Sequence, residues 1–382
     1  MYIWSMKKEL NPFITSLYEG PEHFCDRKNE TQQLIDYVEN GTNVTLFSIR
    51  RLGKTGLIQH VFNQLTEEKD TICIYIDILP TQNLEDFTNQ LATAIYSTFP
   101  PNKRLGKKLL AFIQQFRPTI SFDELSSNPT LSLAKASPIQ QNKTINYLFN
   151  FLDSQNLKVV FAIDEFQQIL EYPEKNTEAL LRTYIQQLKN TSFIFCGSNQ
   201  KMMHEIFNSS KRPFFASCSN MQLDFIPTTV YSEFINSKFT ERKKAITQES
   251  IDFICEWTQC HTFYTQFFCN VLFSKNLKHN VIKDAHDVAI HILKINESIF
   301  YQYRNLLSEA QWRLLRAIAK VEKLHQPNAK DFIQNHSLGT PSLVTRGMDA
   351  LLTKEMIFHN SSIEKPYYEV YDKFLMRWLQ QH

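Results

Sequence analysis

The sequence predicts an α/β chain: a parallel sheet with helices on both faces, followed by a helical unit and a winged helix-turn-helix unit. Three observations predict it. A β-branched apolar run, Val44 to Phe47, breaks into the loop SIRRLGKT and then an amphipathic helix with Leu57, Ile58 and Val61 at helical spacing. A second apolar strand, Val159 to Ile163, ends abruptly in Asp164-Glu165. From Thr229 the pattern turns helical with no clear strand, and it closes on three helices and a two-stranded wing.

The first loop reads S-x-x-x-x-G-K-T, a phosphate-cradling P-loop with Ser48 at its first glycine position. Gly53 lets backbone N–H groups close on phosphate oxygens, and the free N–H groups of a helix start favour an anion. The nucleotide-binding stretch is therefore expected at Ser48, Arg50, Arg51, Leu52, Gly53, Lys54, Thr55 and Gly56. Lys54 would reach the β/γ-phosphates and the Thr55 hydroxyl would ligate Mg²⁺. The alternative is an ordinary strand-to-helix turn with an exposed Gly-Lys pair.

At 382 residues the chain exceeds one typical core, so two or three domains are expected. No window reaches the ~18 uninterrupted apolar residues of a membrane span, and Met1 to Leu10 carries charges where a signal segment would be apolar. A cytoplasmic protein without a membrane partner is expected. Seven cysteines with no C-x-x-C pair read as reduced core residues, and a net charge of +2 selects no partner class.

In chain order, Asp26 is a plausible N-cap for a helix with Leu34, Ile35 and Val38 on one face and Gly41 as its stop. After the P-loop helix come a buried strand (Ile72 to Ile78), helices over 84–98 and 103–116, a β-hairpin insertion over 119–133 and a helix over 142–152. Ligands of open α/β sheets sit outside the carboxyl ends of the strands. Asp164 thus falls beside Thr55 if their strands lie near each other, and would hold Mg²⁺, usually through water. Glu165 would orient and deprotonate the attacking water. Acidic strand ends that merely solvate are the alternative. A helix over 177–188 and a strand from Ser192 to Cys196 lead to Gly197-Ser198-Asn199-Gln200. Ser198, with Asn199 second, is the candidate to hydrogen-bond the γ-phosphate or the water; a capped turn before a 202–207 helix is the alternative. Arg212 could neutralise the transferring phosphoryl group as an arginine finger does, or be a solvated loop charge.

Phe24, Arg27 and Glu30, then SIRRLGKT, VVFAIDEFQQI, FIFCGSNQKMM and RPFF resemble the archaeal/bacterial ATPase family within the STAND branch of AAA+-type P-loop ATPases, over essentially the whole chain. The resemblance implies an ASCE/AAA+-type P-loop NTPase that uses ATP, with the Asp-Glu strand next to the P-loop strand and strand order 5-1-4-3-2. It also implies a helical lid closing over the nucleotide. The family's nucleotide-contacting turn at the third lid helix falls at Cys260-His261-Thr262, making His261 a candidate contact; a helix-cap histidine is the alternative. Expected domains are 1–228 (ATPase), 229–303 (lid) and 304–382 (winged helix).

In the last unit, Ser308 to Gln311 form a capping box and Thr340-Pro341 open the third helix, which turns Ser342, Thr345, Arg346 and Asp349 outward. Residues 301–382 hold eleven Lys/Arg against eight Asp/Glu, a net +3, which is mild for a DNA-reading surface. A protein partner or an autoinhibitory role is favoured over DNA. The ending VYDKFLMRWL resembles the family's Asp-Pro-Phe-x-x-x-Trp with Lys373 in place of Pro, Phe374 and Trp378 being packing residues. The expected function is an ATP-dependent molecular switch with slow hydrolysis. The rivals are an ATP-responsive DNA-binding regulator and a non-hydrolysing nucleotide-binding protein.

Overall fold

The computed structural model describes residues 11–66, 71–99, 106–107, 109, 111, 114, 119–122, 129–132, 138–155, 157–361 and 365–382. It divides into two compact units, Tyr18–Asp224 and Phe225–His382, the latter joined by residues up to Leu17.

In Tyr18–Asp224, helix α1 (Lys28–Glu39) precedes strand β1 (Val44–Phe47), and α2 (Lys54–Leu65) precedes β2 (Thr71–Asp77). Then follow α3 (Leu84–Thr98), the hairpin β3 (Thr119–Phe122) and β4 (Pro129–Ser132), α4 (Pro138–Asp153) and β5 (Lys158–Asp164). The unit closes with α5 (Thr177–Ile185), β6 (Thr191–Gly197), α6 (Gln200–Asn208) and β7 (Ser219–Gln222). The hairpin is antiparallel, with Ile120 opposite Leu131, in the expected insertion. The helix expected over 103–116 lies largely outside the described residues. Asp26 does not cap α1: Arg27 is the N-cap, in the left-handed region at φ 64°, with no side-chain cap. Gly41 (φ 69°) closes the helix as expected, donating to the Val38 carbonyl at 3.2 Å.

Strands β2-β5-β6-β1-β7 form one sheet, in which every neighbouring pair is parallel. With the hairpin set aside this is the order 5-1-4-3-2. The Asp-Glu strand β5 is therefore not next to the P-loop strand β1; β6 lies between them. The reason is that β6 is apolar on both faces and so belongs at the sheet centre. Its alternate residues serve two cores: Phe193 and Phe195 join Phe87, Phe149, Phe166 and Phe207 on one side, and Ile194 and Cys196 join Leu34, Val38, Leu57 and Val61 on the other.

In the second unit, α7 (Thr228–Glu241), α8 (Gln248–Thr258), α9 (Thr262–Ser274) and α10 (Ile282–Leu306) form the helical part. Two short strands, β8 (Ala245–Ile246) and β9 (His279–Asn280), pair in parallel between them, where no strand was expected. The winged helix comprises α11 (Glu309–Val321), α12 (Lys330–Asn335), α13 (Pro341–Thr353), β10 (Ile357–Asn360), β11 (Tyr367–Val370) and α14 (Lys373–Gln381). The Ser308/Gln311 capping box and the Thr340 cap on the Leu343 N–H are present. The Arg377 side chain donates to the Trp257 and Glu256 carbonyls (2.9 and 2.7 Å) and to Glu322 (2.6 Å), tying α14 to the end of α8.

Lys373, in place of the family's proline, is fully buried. Its Nζ lies 2.6 Å from Glu369, with the two side chains 0% and 1% exposed. Removing one partner leaves an uncompensated charge in the core, so Lys373→Met is expected to cost about 3–5 kcal/mol in urea unfolding. The double change Lys373→Met with Glu369→Leu should recover most of that loss, because neither charge then has to be desolvated.

Candidate active site

The P-loop leaves β1 through buried Ser48 and Ile49 and turns at Arg51 (φ 59°) and Gly53 (φ 103°), both left-handed. Gly53 is the N-cap of α2, and its carbonyl accepts the Leu57 N–H at 2.9 Å. An L side chain at φ 103° would be strained, so the turn depends on glycine. Lys54 follows on the first turn, 7% exposed, with Nζ at 3.4 Å from the Ser48 carbonyl and 3.3 Å from Ser48 Oγ. Burial lowers its pKa, and the negative charges of Asp164 and Glu165 oppose that shift. A buried ammonium against two neutral oxygens is suited to meet an anion.

Thr55 Oγ1 donates to Asp164 Oδ2 at 2.8 Å, although 109 residues separate them. The loop and the first turn of α2 carry Thr55 past the tip of β6, so strand adjacency was not required. Glu165 begins a tight 3-10 turn in the left-handed region (φ 54°), and its N–H donates to Asp164 Oδ1 at 3.0 Å. Buried Phe166 and Ile169 anchor that turn. Glu165 Oε2 accepts from Ser198 Oγ at 2.8 Å and from the Ser198 N–H at 3.3 Å. Arg50 Nε donates to the same hydroxyl at 3.4 Å, linking the P-loop to the end of β6.

Thus Ser48, Arg50, Lys54, Thr55, Asp164, Glu165 and Ser198 form one connected cluster. Asn199 serves the helix instead, capping α6 by accepting the Met202 N–H at 3.1 Å. Arg212 is not joined to the cluster by a hydrogen bond: its guanidinium is held by Glu178 at 3.3 Å and by Glu205. Arg51 is exposed, Leu52 is buried, and a side-chain carbon at Gly56 would meet Phe24 at an ordinary 3.6 Å. His261 belongs to the other unit, where it is the N-cap residue of α9 without a side-chain cap and packs, 1% exposed, against the rings of Phe225 and Tyr264.

Three further residues brace this cluster and were not among the expected site residues. Arg27, buried, pairs with Glu30 at 2.8 Å and reaches the Leu52 carbonyl at 3.4 Å, bracing the P-loop from α1. Tyr75 on β2 donates its hydroxyl to Asp164 Oδ2 at 2.8 Å, and desolvation followed by the Asp164 charge pushes its pKa up. Asp77 lies in register with Asp164; partial burial, then the charges of Asp164 and Glu165, raises its carboxyl pKa. Arg27 stood in the motif that carried the resemblance, but the other two had no local pattern to mark them.

Among the described residues no three His, Cys, Asp or Glu side chains form a metal cage. Mg²⁺ at nucleotide sites needs none, since one or two protein oxygens suffice beside phosphate and water. The Thr55 hydroxyl and the Asp164 carboxylate are such oxygens, and the added negative charge of Asp77 and Glu165 favours a cation there.

Sheet order, loop and carboxylates together define a P-loop NTPase. Residues 24–260 match the family model described as "ATPase domain predominantly from Archaea", and residues 298–381 match "Probable winged helix domain". The chain belongs to that archaeal-type, ATP-binding P-loop ATPase family and carries a C-terminal winged helix. Among solved structures it is similar to a Walker-type ATPase of Pyrococcus abyssi (18% identity, 97% of this chain and 99% of that one, TM-score 0.65). It is also similar to the Aeropyrum pernix ORC2 protein in ADPNP–ADP complexes (13%, 98% and 96%, TM-score 0.59). A third is the A. pernix ORC1 protein in complex with DNA (11%, 94% and 92%, TM-score 0.51). No curated protein matches the chain. Among the described residues no helix is long and apolar enough to cross a membrane.

Proposed function

We propose that the chain binds MgATP at this cluster and hydrolyses it slowly by in-line attack of water, acting as a nucleotide-dependent switch of the STAND type. The observation that carries the reading is the convergence of Lys54 and Thr55, after β1, with Asp164 and Glu165, at the end of β5, with Thr55 and Asp164 in direct contact at 2.8 Å. Phosphoryl transfer needs positioning and charge neutralisation rather than covalent catalysis. Lys54 supplies a buried cation to the β/γ-phosphates, and Glu165 accepts the proton of the attacking water. Ser198 holds Glu165 and would hydrogen-bond the γ-phosphate or the attacking water. When bound, Mg²⁺ neutralises phosphate oxygens, with Thr55 and Asp164 as its protein ligands. Arg212 would act on a phosphoryl group only on release from Glu178 and Glu205. His261 remains a candidate nucleotide contact by family likeness alone.

The lid helices and the winged helix form one compact unit, tied by Arg377 to the end of α8. A displacement of the lid with nucleotide state would therefore carry the winged helix with it. The division into 1–228 (ATPase), 229–303 (lid) and 304–382 (winged helix) is kept as part of this reading, on the pattern of the sequence. The partner of the winged helix is read as a protein. Ser342, Thr345 and Arg346 are exposed on α13, but a single arginine, with Asp349 on the same helix, is a weak phosphate footprint. The A. pernix ORC1 likeness keeps duplex DNA as the second reading.

Thermal melts of the purified chain with MgATP test the first reading. Nucleotide at about 100 times its Kd should add about 2.7 kcal/mol of stability, and omitting Mg²⁺ should remove most of it. No stabilisation by any nucleotide defeats it. A gel shift on duplex DNA across salt tests the second: absent or salt-insensitive binding removes DNA as the partner.

A further inference from the structure

Gln167 stands in the IDEFQ stretch but takes no part in the phosphate or metal roles described above. It is 7% exposed, in the tight turn Phe166–Glu171. Its Nε2 donates to Glu165 Oε2, the oxygen that also accepts the Ser198 hydroxyl and N–H. Among the described residues nothing donates to Glu165 Oε1. The other end of the amide is buried without a hydrogen bond and lies against Gly197. A side-chain carbon at Gly197 would stand 2.2 Å from Gln167 Oε1 and 2.6 Å from the Cγ and Sδ of Met203. Position 197 therefore has to lack a Cβ for the amide to be seated.

An unmet buried acceptor is costly, and its retention calls for an explanation. The explanation lies in the torsion at the end of a glutamate side chain, which is broad and nearly two-fold. Left alone, it presents either oxygen at many angles. We infer that Gln167 is the positioning residue of Glu165: its amide, seated against Gly197, pins Oε2 together with Ser198, so that Oε1 is the oxygen presented to the attacking water. The inference rests on the reading of Glu165 as general base.

Steady-state hydrolysis of MgATP by the full chain tests it. Gln167→Met keeps the length and removes the donor. Its kcat should fall about tenfold with KM changed by less than about twofold, the pattern of a misoriented catalytic group. In a Glu165→Gln background the same change should alter kcat by less than about twofold, because no base is left to position. Gly197→Ala, which evicts the amide, should repeat the loss. If Gln167→Met melts early, Gln167→Glu, of the same shape and without a donor when ionised, gives the same reading. Parental kcat in Gln167→Met overturns the inference, and so do equal losses in both backgrounds or a raised KM with lost nucleotide affinity. A parent chain no faster than Glu165→Gln is a different failure: it removes Glu165 as the base, and the role of Gln167 with it.

Discussion

Glu165→Gln is expected to keep MgATP bound and to slow single-turnover phosphate release by about 10²–10⁴-fold, the contribution of a positioned general base. Glutamine has the same shape and still offers an oxygen to the Ser198 hydroxyl, which lies 2.8 Å from Oε2 of the parent residue. What it cannot do is take a proton from water. The left-handed turn at residue 165 is held by buried Phe166 and Ile169, which the substitution does not touch, so the loss should not come from unfolding. Equal rates for variant and parent would leave nucleotide binding standing and make the chain a non-hydrolysing binder.

Lys54→Met should weaken MgATP binding by at least about 100-fold, equivalent to about 2.7 kcal/mol, as read by calorimetry. The same change should leave the nucleotide-free melting temperature unchanged or raise it, because a desolvated ammonium is replaced by an apolar chain of similar length. That pairing separates a binding residue from a structural one. The parent lysine also sets a pH dependence. Burial holds its pKa below the ordinary lysine value, so it loses its charge at a lower pH than an exposed lysine would. A triphosphate favours the charged form, so in the window between the lowered value of the free protein and the higher value of the complex, ATP binding takes up a proton and weakens as pH rises. Calorimetry in two buffers of different ionisation enthalpy measures that uptake, and Lys54→Met should abolish it.

What local spacing could express was legible. The helix over Leu84–Thr98 begins and ends where its pattern placed it, and the Ser308 and Thr340 caps hold. The P-loop and the Asp164-Glu165 strand end were readable for the same reason: each is a short run in which phosphate or metal chemistry demands particular neighbours in sequence. Strand β7 was not readable, because Ser219–Gln222 is an edge strand with mostly polar residues and no run to mark it. The paired dipeptides β8 and β9 are too short to leave a period.

The sequence by itself determined that this protein has a phosphate loop, an acidic strand end, a helical middle and a winged helix, since these follow from torsional preference, hydrophobic period and capping chemistry within a few residues. Tertiary structure alone decided that β6 separates β1 from β5, that Thr55 nonetheless reaches Asp164, and that Tyr75, Gln167 and Gly197 surround the two carboxylates. It also turned Lys373 inward onto Glu369. Those contacts join residues whose closeness depends on which strands pair across the sheet and how side chains fill a shared core, and no period along a single segment encodes that choice.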